Sequence, residues 1–176
     1  VAAAEAAEVQ ADDEAALVAA LKDLAASAPL TLRHRNLHWV APRTVQEVAE
    51  YLKLGGEDGP VTLVAGATDV GLWVTKQHRT LPTILWLGAV PKLQMITETE
   101  AGLTLGAAVR YSDAQAALGR LHPDLGELLR RLGSVQVRNS GTVGGNIGNG
   151  SPIGDMPPAL IALGAEGGSA IFASGA

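Results

Sequence analysis

Residues 141–155, GTVGGNIGNGSPIGD, carry six glycines in fifteen positions, with Val143, Ile147 and Ile153 interleaved and no charge before Asp155. Glycine at this density lets a backbone turn through positive φ and lets a ligand approach the main chain. A flexible linker is rich in Gly and Ser and has no apolar residues to bury. Three aliphatic side chains inside the stretch argue instead for an ordered loop. A second glycine turn lies upstream in VTLVAGATDVG (61–71), directly after an apolar strand. Consecutive exposed amides in such turns form concave anion sites. Two amide-rich turns in one small chain point to a ligand with two linked phosphates.

Neither turn fits the commonest phosphate motifs. No Gly-Lys-Ser/Thr follows the downstream glycines, which excludes a Walker loop with a magnesium triphosphate. The spacing is not GxGxxG opening a helix after a strand, so a Rossmann site is excluded too. In the upstream turn Thr68 offers a hydroxyl. Asp69 suits a ribose hydroxyl or an amide better than a phosphate, which it would repel; its alternative role is to cap a following helix. Asn146 and Asn149 tolerate left-handed backbone and offer amide groups. Asp155, just before Pro157-Pro158, is either a helix cap or a contact to a polar ligand edge.

Composition narrows the function classes. The chain has 176 residues, 47% hydrophobic but only 3% aromatic, so its core should be aliphatic. A net charge of −5 provides no global basic field for nucleic acid. No stretch approaches the eighteen or so apolar residues of a membrane helix. The opening VAAAEAAE carries acid where a secretory signal needs a basic segment, and a cytoplasmic address is the default expectation. Cysteine is absent, which excludes disulfides, thiolate zinc sites and any iron–sulfur cluster held by these residues. His34 and His38 bracket two arginines without carboxylate or thiol neighbours, so no metal site is expected. Arg138 lies near enough to the downstream glycines to steer an anion. Trp39, Trp73 and Trp86 read as core or interface residues.

Strand and helix patterns alternate, then give way to a hairpin and helices. Residues 1–28 are nearly half alanine, with Leu17, Leu21 and Leu24 at helical spacing and Asp12 or Asp13 as caps. Strands are expected at 37–40, 61–65 and 83–87, and a hairpin from 93–98 with 103–109. Thr44-Val-Gln-Glu47 is a capping box opening a helix that stops near Gly55. A short helix is expected near 69–77. Ser112-Asp-Ala-Gln115 reads as a second capping box. Pro123 opens a helix with Leu125, Leu128, Leu129 and Leu132 along one stripe. The segment 141–155 is expected as a loop, followed by a helix over 158–163. The result is an α+β fold with an α/β-type first lobe. Its expected parts are an alanine-rich linker helix (1–30), a first lobe (31–90) and a second lobe (91–176). The uncharged end, GGSAIFASGA, reads as an arbitrary stop.

LVAGATDVGLWVTK (63–76) and RLGSVQVRNSGTVGGNIGNGSPIGDMPPAL (131–160) resemble the FAD-binding domain of molybdenum-containing hydroxylases, most of all the small FAD/iron–sulfur subunit of bacterial xanthine dehydrogenases. The resemblance spans about residues 31–166. It implies the two-lobed FAD-binding fold shared by vanillyl-alcohol-oxidase and CO-dehydrogenase flavoproteins, with FAD extended between the lobes. By motif position, Leu63, Val64, Ala65, Gly66, Ala67, Thr68, Asp69 and Val70 would wrap the diphosphate and ribose together with Thr142, Val143, Gly144, Gly145 and Asn146. Asp155 would also contact FAD. Leu132 stands where many relatives carry an aromatic beside the isoalloxazine, and Ala67 where they carry a polar residue or glycine.

The implied function is electron transfer. A purine is oxidised at a molybdenum cofactor on another subunit or domain, and electrons pass through 2Fe–2S clusters to FAD and then to NAD. No side chain here is assigned a catalytic role. Iron–sulfur and molybdenum partners imply a hetero-oligomer. Alternatives are a flavin module of a sister hydroxylase acting on aldehydes, CO or aromatic acids, and a nucleotide-binding or docking domain without redox work.

Overall fold

Parallel strands need a crossover between them, and residues 61–86 supply one. The computed structural model describes residues 14–24, 28–56 and 59–166. Strand β1 (Leu30–His34) pairs antiparallel with β2 (Leu37–Ala41). Strands β3 (Val61–Val64) and β4 (Thr83–Trp86) join them in a four-stranded sheet ordered β1-β2-β4-β3. The β2–β4 and β3–β4 pairs are parallel. The strands expected from sequence appear in place. β1 was not expected: its five residues are all exposed, so no alternation of buried and exposed positions marks it.

Helix α1 (Glu14–Leu24) precedes the sheet, and its Leu17 and Leu21 are exposed. The caps expected at Asp12 or Asp13 and the segment 167–176 lie outside the described residues. Helix α2 (Val45–Leu54) starts at the expected capping box. Thr44 Oγ1 accepts from the Glu47 amide, and the Glu47 carboxylate accepts from the Thr44 and Arg43 amides. Gly55 ends α2 at φ 71°. Helix α3 (Val70–Thr75) is one short crossover between β3 and β4. Val40, Val48, Leu85 and Val90 form the first core, with Leu63, Leu87 and Leu93 against it.

Past Gln94 the chain builds a second core. The hairpin is β5 (Ile96–Thr99) and β6 (Gly102–Leu105), shorter than its apolar residues suggest. Residues 106–108 turn back instead: the Gly106 amide donates to Met95 O and the Ala108 amide to Leu93 O. Helices α4 (Tyr111–Leu121), α5 (Pro123–Arg131), α6 (Val135–Ser140), α7 (Val143–Asn149) and α8 (Met156–Ala162) follow. Tyr111, Leu118, Leu125, Leu129, Leu132, Val143 and Met156 meet in this core. Burying such aliphatic side chains stabilises the fold by roughly 1.5–3 kcal/mol each.

Two expectations fail here for identifiable reasons. Ser112 does not cap α4, which begins one residue earlier; its Oγ donates to Asn139 Oδ1 on α6, so tertiary contact takes the hydroxyl that a cap would use. Nearly half of the stretch expected as a loop, seven of its fifteen residues, is helix α7. Thr142 caps it through a bond from the Gly145 amide to Oγ1 at 3.1 Å, and tertiary contacts offset the low helix propensity of its three glycines. Within 141–154 only Gly150, closing α7, has positive φ.

Candidate functional site

Strand β3 ends at the sheet edge, and the turn Ala65-Gly66-Ala67-Thr68-Asp69 leaves it at the carboxyl end, where α/β sheets place ligands. Trp86 on the neighbouring strand holds the base of this turn, its Nε1 donating to Ala65 O at 3.3 Å. Ala67 sits in the left-handed region at φ 58°, a conformation costing a residue with a Cβ about 1–2 kcal/mol. From Gly66 to Val70 none of the five backbone amides has a hydrogen-bond partner among the described residues. Two of the carbonyls are in use: Ala67 O accepts from Gly71 N at 2.7 Å and Asp69 O from Leu72 N at 2.9 Å. The turn therefore shows a run of open donors, the chemistry that phosphate oxygens require. Asp69 precedes α3 but its carboxylate makes no cap bond, correcting that expectation and leaving it free to face a ligand.

The second expected cradle is built differently. The amides of Val143 and Gly144 donate to Val109 O and Ala107 O, both at 3.0 Å. Those of Gly145 and Asn146 donate to Thr142 Oγ1 and Thr142 O, both at 3.1 Å. All four donors are spent inside the protein. The glycines are required by packing: a Cβ on Gly144 would stand 2.6 Å from Ala107 O, and one on Gly145 2.6 Å from Thr142 Oγ1. Thr142 and Val143 are buried. Asn146 Oδ1 accepts from Met156 N at 3.2 Å, fixing the start of α8. Asp155 stands just before α8 and its carboxylate makes no cap bond, which excludes the cap alternative.

The two segments nevertheless meet. A Cβ on Gly66 would lie 2.1 Å from Ser140 O and 2.8 Å from Gly141 Cα, so only glycine permits this approach. Gly141 O accepts from Tyr111 N at 3.0 Å, and the Tyr111 ring lies against Gly141. Tyr111 is 2% exposed, and its hydroxyl is buried without a hydrogen-bond partner. Burial, then the charges of Asp155 and Asp69, push the phenol well above its ordinary pKa. Asp69 lies three residues after Gly66, and Asp155 directly precedes Met156, which shares the Tyr111 core. Leu63, by contrast, packs against the first core and Val64 is buried, so they offer a site only their backbone. Arg138 is tied to its own backbone, its Nη1 donating to Leu132 O and Gly133 O, both at 2.9 Å. An open depression of about 390 Å³ beside Asp155 is lined by Asp124, Glu127, Leu128, Arg131 and Leu132.

Sequence reasoning missed Tyr111, Trp86 and Ser140-Gly141. Tyr111 carries one faint signal, being one of two tyrosines and lying between the glycine segments. Among the described residues no cluster of His, Asp and Glu could hold a metal, and no helix is long and apolar enough to cross a membrane.

Comparison with known proteins identifies the architecture. The family described as "FAD binding domain in molybdopterin dehydrogenase" matches residues 33–167. The chain belongs to that family. Xanthine dehydrogenase of Drosophila pseudoobscura pseudoobscura is 34% identical over 151 residues, covering 80% of this chain and 11% of the relative. Aldehyde oxidase 2 of Cavia porcellus is 29% identical over 160 residues, covering 81% of this chain and 12% of the relative. Among solved structures, carbon monoxide dehydrogenase from Hydrogenophaga pseudoflava superposes with a TM-score of 0.66 at 26% identity, over 75% of this chain and 46% of that one. The chain therefore spans about a tenth of the curated relatives and just under half of the solved subunit. It is an FAD-binding domain of the xanthine dehydrogenase-like oxidoreductases, with a mixed α+β, two-core fold. The residues present fit FAD: open amides at Gly66–Val70 suit the diphosphate, Gly66 leaves room at the lobe contact, and Tyr111 holds an unpartnered hydroxyl.

Proposed function

We propose that this chain is the FAD-binding electron-transfer module of a xanthine dehydrogenase, working between 2Fe–2S clusters and NAD during purine oxidation. The observation that carries this reading is the run of unpaired amides from Gly66 to Val70, pressed against Ser140-Gly141 of the second lobe. That arrangement gives a dinucleotide one open amide cradle at a junction between two cores. Flavin, when bound, supplies the chemistry of taking up electrons and passing them on as hydride. The protein binds, orients and shields it.

Each segment has its own task in this reading. The backbone of Leu63 to Val70 receives the diphosphate, with Thr68 adding a hydroxyl. Asp69 and Asp155 accept hydroxyl or amide protons of the cofactor. Thr142 to Asn146 act chiefly as the rigid wall opposite, because their amides already hold the second lobe together. The 2Fe–2S clusters and molybdenum cofactor belong to other domains or subunits, which makes the working protein a hetero-oligomer of the cytoplasm. No residue here is assigned acid or base chemistry.

Identity favours xanthine dehydrogenase, at 34% against 29% for aldehyde oxidase 2. A second reading, a flavin module serving aldehyde or CO oxidation, is favoured by the superposition on carbon monoxide dehydrogenase. The test uses the full-length protein. Its flavin spectrum should bleach anaerobically with xanthine and recover on adding NAD. Bleaching with an aldehyde or CO alone moves the assignment to the sister enzymes, and a colourless protein that takes up no added FAD ends the flavin reading.

A further inference from the structure

The Tyr111 hydroxyl is given no particular atom of the cofactor by the reading above. It opens helix α4, is 2% exposed, and lies against Gly141, the residue that meets Gly66. Its oxygen has no hydrogen-bond partner. A buried hydroxyl without a partner is destabilising, and native proteins rarely tolerate one without a functional reason. Asp69 sits in the turn whose Gly66 meets Gly141, and Asp155 directly precedes Met156 of the Tyr111 core; neither carboxylate makes a cap bond.

We infer that the Tyr111 hydroxyl is a binding group for the cofactor, and that it donates to a sugar-type hydroxyl, of the ribose or the ribityl chain, not to a phosphate oxygen. This rests on the FAD reading above. A phosphate brought to the hydroxyl would meet the like charges of Asp69 and Asp155. A polyol is matched by all three groups, because each of its hydroxyls can donate to a carboxylate and accept from the phenol. The open amides of Gly66 to Val70 remain for the diphosphate, so anionic and neutral parts of one ligand are sorted to different donors.

Tyr111→Phe in the deflavinated full-length protein tests this, because it removes one oxygen and keeps the ring against Gly141. FAD should bind about tenfold more weakly, the effect of losing roughly one hydrogen bond of about 1.4 kcal/mol. The thermal midpoint of the FAD-free protein should stay or rise, since an unsatisfied hydroxyl has gone. An unchanged FAD affinity overturns the inference while leaving the flavin reading intact. So does a fall in the FAD-free midpoint, which would show that the hydroxyl has a partner inside the protein. Wild-type protein that binds no FAD defeats the flavin reading itself. FMN and ADP then locate the oxygen. Weakening of FMN alone assigns the ribityl chain, and weakening of ADP alone assigns the ribose. Equal weakening of both, or of neither, removes the sugar assignment.

Discussion

Gly66 is the residue on which the junction turns, because its missing side chain is occupied by the backbone of the other lobe. Adding one methyl places a carbon 2.1 Å from Ser140 O, and backbone cannot move aside as a flexible side chain can. Overpacking of this kind costs about 1–3 kcal/mol. Gly66→Ala should therefore lower the thermal midpoint and the flavin content of the purified protein together; a variant with full flavin would show that the contact plays no part in binding. Tyr111 makes a different prediction, one of pH. Its folded pKa lies above the unfolded value of 10.0, through burial first and then Asp155 and Asp69. The neutral phenol is thus the form the fold favours. Its contribution is complete below the unfolded pKa and is lost as pH rises from there toward the folded value, at no more than about 1.4 kcal/mol per pH unit. Urea unfolding of wild type should weaken above about pH 10 more steeply than that of Tyr111→Phe. Parallel curves for the two proteins would remove the Tyr111 term.

At the scale of elements, helix α7 shows where glycine acts by packing and where it does not. Gly144 faces Ala107 at 2.6 Å, whereas Gly148, in the same helix, has nothing within 4 Å of a Cβ. Gly148→Ala should stabilise the protein by about 0.4–1 kcal/mol, because alanine loses less backbone entropy on forming a helix. Gly144→Ala should destabilise it by about 1–3 kcal/mol. Chemical denaturation of the pair reads both signs, and equal shifts would deny the contrast. The same helix shows what the sequence could reveal. The capping box at Thr44, the stripe from Leu125 to Leu132 and the strand before Gly66 were legible because each is a local pattern, spelled by neighbours within one or two turns. Helix α7 was not, because its cap at Thr142 is local but its support, from Val109 O and Ala107 O, lies over thirty residues upstream. Ser112 misled for the same reason, its hydroxyl being claimed by Asn139 on another helix. The upstream half of the site was visible as glycines after a strand. The hydroxyl of Tyr111 was not, since only the folded chain brings Asp69 and Asp155 to it.

Across the described residues, two hydrophobic cores are joined at two places of close backbone approach. One is the crossing of residues 93–95 with 106–108, where a Cβ on Gly106 would lie 2.3 Å from Leu93 O. The other is Gly66 on Ser140-Gly141. A ligand lying over the second joint touches both cores, so its binding energy couples them. All three tryptophans, Trp39, Trp73 and Trp86, belong to the first lobe, while the helices from α4 onward make up most of the second. Fluorescence therefore follows the first lobe, while far-UV circular dichroism is weighted toward the second, which holds the larger share of helix. FAD at about one hundred times its dissociation constant should add about 2.7 kcal/mol. That corresponds to about 5–10 °C in a chain of this size, and both signals should rise by the same amount. A ligand held by the amide turn alone would move the tryptophan transition and leave the helical one behind. In Gly66→Ala the two transitions should separate even with FAD present, because the methyl parts the surfaces that the cofactor bridges. Coincident transitions in that variant would place the coupling elsewhere, at the crossing of 93–95 with 106–108.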